Sequence, residues 1–252
     1  MNKRLIQFYT LFSYLVKQSL SLDNLMCTVF PELAYHSLYT YVYGVVLLIN
    51  YPNIAGIDYI RFFLYGTLVM CIISAGITSM YKFSIMRWDR SIEEILLAPM
   101  PCYILSLAFI CHSLLRALPV VLLNLLVISP LCGCFVNIFN VPSFLLSYTL
   151  VVSTCSLLGM VSSLLIKKFD KLIIITVGMD TLCLLSGSVF DLSQGPQIFL
   201  WTSKINPICY FLEGIRMSLI SGSISFELIV ICTFLNLFLF NVIKKLFREH
   251  AI

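Results

Sequence analysis

Six long apolar stretches, at about 29–50, 59–81, 102–129, 142–166, 172–191 and 225–243, leave little choice of fold. Each is long enough to cross roughly 30 Å of hydrocarbon at about 1.5 Å per residue as a helix. Hydrophobic residues make up 60% of the 252 and charged residues only 11%, with a mean hydropathy of +0.99. Soluble domains are charged at about a quarter of their positions. The expectation is an all-α integral membrane protein, a single domain over 1–252 with six transmembrane helices. The third stretch has the length to tilt, to kink at Pro119 or to run past the bilayer.

Lysine and arginine set the orientation. With the N-terminus inside, the inner segments carry twelve of them and the outer segments three, Arg61, Lys204 and Arg216, while Arg116 falls within the third stretch. That bias predicts both termini on the cytoplasmic side, together with segment 82–101. The net charge of +4 is too modest to suggest nucleic acid as a partner. Residues 1–22 read as an amphipathic helix in the membrane interface, with Leu5, Phe8, Tyr9, Phe12, Leu15 and Val16 on one face. Gln7 and Lys17 interrupt that run, and no small-residue cleavage site follows, so a secretory signal is rejected.

Two segments between the stretches stand out. In 87–101, Ser91 and Glu94 form a capping box, and Glu93 and Glu94 sit where a helix dipole favours acids. Ile92, Ile95 and Leu96 give an apolar side, and Pro99 and Pro101 end the helix after two turns. A helix so short needs a surface to hold it. In the outer loop, 192–224, Asn206-Pro207 reads as an N-cap followed by proline at the first helical position. Ile208, Phe211, Leu212, Ile215 and Leu219 form a stripe, with Glu213 and Arg216 beside it and Gly222 closing the helix. Such a helix either shapes an outer gate, with Asn206, Pro207, Tyr210, Glu213 and Arg216 as its candidates, or packs the loop against the bilayer.

No chemistry of bond making is legible. Arg116 and Asp180 lie mid-span, which makes them functional candidates. They either pair, or Arg116 meets an anionic substrate group, or both make structural contacts. His36 and His112 lack carboxylates at ligand spacing, and the ten cysteines, including Cys132-Gly-Cys134, lack metal spacing. No nucleophile elbow or zinc motif is present. No Gly-Lys dipeptide exists, so the chain has no P-loop of its own. No catalytic residue, metal site or resident cofactor is expected.

The run from Ser91 to Pro101 resembles the cytoplasmic signature of type-2 ABC transporter permeases: a hydrophobic residue, Glu-Glu, a hydrophobic trio, a small residue, then Pro-x-Pro. Lys168-Phe169-Asp170 resembles the loop the family carries before its fifth span. Gly187-Ser188-Val189-Phe190, Asn206-Pro207-Ile208-Cys209-Tyr210 and Gly214-Ile215-Arg216 resemble its run before the last span, in register. Asp180, and Ser186 where a second glycine is usual, depart from the pattern. The resemblance implies a permease that dimerises, most simply as a homodimer. Each copy docks a separate ATP-binding subunit that holds ATP and Mg. Helix 91–98 is then the coupling helix, through Ser91, Ile92, Glu93, Glu94, Ile95, Leu96, Pro99 and Pro101, and the N-terminal helix is a second contact with that subunit or with lipid. Export from a bacterial cytoplasm across the inner membrane follows, of polysaccharides, lipid-linked molecules or drug-like amphiphiles. The alternative is an ATPase-independent channel or secondary transporter.

Overall fold

The computed structural model describes residues 3–19, 30–43, 58–77, 79–89, 100–131, 133, 140–166, 171–190, 192 and 197–250. Among them every regular element is helical. The helices are α1 (Lys3–Ser19), α2 (Phe30–Tyr41), α3 (Tyr59–Ile77), α4 (Ser79–Trp88), α5 (Cys102–Leu123), α6 (Val141–Leu165), α7 (Leu172–Leu184), α8 (Gln197–Ile205), α9 (Pro207–Ile220) and α10 (Phe226–His250).

Among the described residues four helical stretches are long and apolar enough to cross a membrane: Tyr59–Trp88, Cys102–Val127, Val141–Leu165 and Phe226–Arg248. The first of these joins α3 to α4 and runs seven residues past the expected end at 81. Lys82 is therefore not in a solvated loop but only 7% exposed, beside Phe83 and Met86, which pack on α5 and α6. Its four-carbon stem tolerates that burial better than its charge would suggest. The stretch expected at 142–166 matches α6 within one residue at each end, with Pro142 in the first turn. The last helix likewise outruns its expected end at 243. Span one begins as α2, and residues 44–50 lie outside the described residues.

The fifth stretch is corrected. α7 has thirteen residues, about 20 Å, and stops at Leu184 instead of continuing to 191. The apolar composition hides a stop made by Ser186-Gly187-Ser188: Gly187 adopts φ 78°, and both serine hydroxyls donate to the Cys183 carbonyl at 2.6 and 3.0 Å. In the third stretch Pro119 stays inside α5, and one turn later the helix widens into a π turn over Asn124–Ile128. Buried Asn124 donates there to the Val120 carbonyl at 2.9 Å.

α6 sits at the centre, against α3, α4, α5, α7, α9 and α10. One apolar core joins α3, α5, α6, α7, α9 and α10; a second joins α1, α4, α5, α6 and α10. α1 therefore packs along α5, with Leu11 and Leu15 buried. Of the expected apolar face Leu15 is buried while Leu5 and Tyr9 are exposed, and Leu11, not named with that face, is buried as well.

α3 and α6 touch backbone to backbone at Gly76, where a Cβ would stand 2.6 Å from the Cβ of Cys155. That neighbour is a side-chain stem and cannot swing away. Gly76→Leu is expected to cost at least about 1–3 kcal/mol of overpacking. A lowered thermal midpoint in detergent, with Gly76→Ala falling between it and wild type, is the result to look for.

Candidate functional site

α9 explains itself locally. Asn206 has an extended backbone, and its side-chain oxygen accepts from the Ile208 N–H at 3.0 Å, with Pro207 in the first turn and Gly222 at φ 70° just past the end. These caps match the sequence expectation. The helix itself is not a surface element, however. Ile208, Cys209, Phe211, Leu212, Ile215 and Leu219 are all buried, because α9 packs on α3, α6, α7 and α10. The helix that lies outside is α8, which the sequence reading did not foresee. Ile205 is 82% exposed, and the Lys204 ammonium lies 5.4 Å from the centre of the Trp201 ring.

The segments that resemble the family run meet at one junction around the turn after α7. Asn206 uses its second function here: its amide donates to the Leu182 carbonyl at 2.8 Å. Arg216 Nη2 donates to the carbonyls of Phe62, Gly187 and Ser188 at 3.1, 3.1 and 3.2 Å. The guanidinium carbon lies over the Phe62 ring, 3.7 Å from its centre, adding a cation–π contact. Tyr59 donates to the Val189 carbonyl at 2.7 Å. Gly66 lets α3 approach, since a Cβ there would collide with the Ser188 carbonyl. Gly214 does the same for α9 against Leu228 of α10, where a Cβ would come within 2.6 Å. Tyr210 donates to Lys204 and so ties α9 back to α8 at 3.0 Å. The geometry makes this a mechanical junction of α3, α7, α9 and α10. It offers carbonyls and buried apolar surface, not a nucleophile.

Glu213 lies at the surface of α9, where partial desolvation by its neighbours, and then Glu227, raise its carboxyl pKa while Arg216 pulls the other way. Burial and Glu213 push the Cys209 thiol up to about 11, so it is no reactive thiol.

The mid-span pair does not form. Arg116 lies on α5 one turn from buried His112, and each stands close enough to Lys82 of α4 for their charges to interact. Asp180 is exposed on α7, which packs on α3, α6 and α9, and no ion pair joins it to Arg116 among the described residues. Ser91 to Pro99, Lys168-Phe169-Asp170, the cysteines 132 and 134 and the His36 side chain lie outside the described residues. Pro101 is described: extended at φ −70°, ψ 141°, it begins α5, and its carbonyl accepts from the Ile104 N–H.

At the other end of the bundle, sequence reasoning missed Arg87. Its Nη1 donates to the carbonyls of Ser163 and Leu164 at 2.5 and 3.3 Å, and Ser84 bonds Ser163 at 2.6 Å. The guanidinium thus caps the C-terminus of α6, where unsatisfied carbonyls and the helix dipole favour a cation. In the sequence it counted only as one more positive charge.

Arg216→Lys keeps the charge but loses the guanidinium that lies over Phe62 and sets Nη2 among the three carbonyls. A charge-assisted bond is worth about 1.5–3 kcal/mol, so amide exchange in 182–190 is expected to quicken about 10–100-fold. Unchanged exchange there would remove Arg216 as the clamp. For Glu213 the folded-state pKa lies above the ordinary 4.5, so the ionised form costs stability above the raised pKa. That cost fades as pH falls through it. Glu213→Gln should therefore melt slightly higher than wild type at alkaline pH, solvent keeping the difference small, and the two should converge on acidification.

A family model described as ABC-2 type transporter matches residues 7–220. The chain is 26% identical over 194 residues to the inner membrane transport permease YadH of Escherichia coli K12, covering 75% of this chain and 74% of that one. The proteins of the same name from Escherichia coli O157:H7 and Shigella flexneri match it equally.

Proposed function

Because the chain belongs to the ABC-2 type transporter family, and so is a transmembrane permease that pairs with an ABC ATP-binding subunit, we propose that it is the membrane half of an exporter in the bacterial inner membrane. Six spans with both termini in the cytoplasm agree with the distribution of lysine and arginine. The chain works as a homodimer, with the path for cargo between the copies. Its cargo is an amphiphile, lipid-linked, polysaccharide or drug-like, and ATP and Mg stay on the partner subunit.

The acidic segment from Ser91 to Pro101 transmits the stroke. What carries this reading is how its two flanks are anchored. Met86 on one side belongs to an apolar core shared with α1, α5, α6 and α10, and Met100 and Cys102 on the other side, partly buried, pack against the same core. A push on the segment is therefore delivered to five helices at once, α5 included. Ile92, Ile95 and Leu96 supply an apolar face for the ATP-binding subunit, and Glu93 and Glu94 meet basic residues around it. The junction held by Asn206 and Arg216 lies at the opposite end of α6, on the outer side in this orientation, and is the part that must yield for release.

Glu93→Lys combined with Glu94→Lys is expected to detach the ATP-binding subunit in a detergent pull-down while the permease keeps its thermal midpoint. Undiminished co-purification together with undiminished nucleotide-driven transport would overturn the coupling role of Glu93 and Glu94, whereas wild-type transport that needs no nucleotide would point instead to an ATPase-independent channel or secondary transporter.

A further inference from the structure

We propose that α6 is the rod through which the coupling segment drives the outer junction, with Arg87 and Asn140 as the positioning residues at its two ends. This rests on the ATPase-driven reading above and adds the route by which force crosses the membrane.

Both ends of α6 use the same chemistry. At its C-terminus, Arg87 of α4 holds the carbonyls of Ser163 and Leu164, two residues before Asp89 and the segment that follows. At its N-terminus, α6 is the holder. Asn140 donates to the last carbonyls of α9, Leu219 at 2.7 Å and Ile220 at 3.3 Å, and Ser143 donates to Gly222 at 2.5 Å. One turn back along α9, Arg216 grips the carbonyls of Gly187 and Ser188. The contacts run without a gap from α4 through α6 and α9 to the turn after α7.

α6 is also built to carry load. Its 25 residues span about 37 Å with proline only in the first turn. By contrast, α5 contains Pro119 and opens into a π turn at Asn124. Along its length α6 is guided from the sides. Ser156 bonds Ser113 of α5 at 3.1 Å, Tyr148 donates to the Leu114 carbonyl at 2.6 Å, and Ser153 accepts from Asn236 of α10 at 3.0 Å. These contacts hold α6 straight between α5 and α10, so that displacement at one end is carried to the other. Loss of either end contact should then leave the stroke on one side only.

Hydrogen exchange on the permease with its ATP-binding subunit in nanodiscs, with ATP and vanadate against ADP, tests this. In the wild type, nucleotide should change exchange both in 79–89 and in 182–192 with 206–225. Arg87→Ala should keep the first change and lose the second, and Arg87→Lys should restore part of it. Asn140→Ala with Ser143→Ala should give the same loss from the other end, which covers the case where an Arg87 variant folds poorly. A reduced stability alone would not separate the two responses in this way. The rod is overturned if the outer change persists in the variants of both ends, or if wild type shows the inner change without the outer one. If no ATP-binding subunit co-purifies with wild type, the exporter reading falls, and that result is distinct from either.

Discussion

A helix that ends inside a membrane protein leaves carbonyls that water cannot reach, and most of what is specific here follows from supplying them with donors. α6 ends on Arg87, α7 on Asn206 and the hydroxyls of Ser186 and Ser188, and α9 on Asn140 and Ser143. In each case the donor for one helix sits on, or just beside, another helix or turn. Satisfying the backbone and connecting the helices are thus the same act. Arg216 shows this most fully, because one guanidinium serves carbonyls from α3 and from the turn after α7 while its face covers Phe62.

Close packing supplies the second half. Lipid offers helices no solvent-driven reason to associate, so backbones gain by touching where side chains are small. Gly66, Gly76 and Gly214 bring α3 to the turn after α7, α3 to α6, and α9 to α10. Serine and threonine follow the same logic on α6, where Ser153 and Ser156 take partners across helices. The polar residues of the bundle that are named above read as connectors once their partners are known.

How much of this was legible depended on how far apart in the chain the partners lie. The cap of α9 could be read because Asn206 bonds a residue two positions on, and the ends of α6 because proline and the limits of an apolar run are local signals. The short α7 could not be read, since its terminating Ser-Gly-Ser sits in a run that stays apolar on both sides. The roles of Arg216 and Arg87 were hidden for another reason. Arg216 reaches carbonyls 29 and 154 positions away, and Arg87 one that is 76 away. Charge counting classed both only by the side of the membrane they favour. The burial of α9 was missed because an apolar stripe fits an interface and a core equally well until the neighbours are in place.

The 30-residue helix from Tyr59 to Trp88 carries a consequence of its own. At about 45 Å it exceeds a hydrocarbon core of about 30 Å by half again. A helix of that length must tilt or carry its last turns, with Arg87 and Trp88, beyond the hydrocarbon, and α10, which also outruns its expected span, faces the same choice.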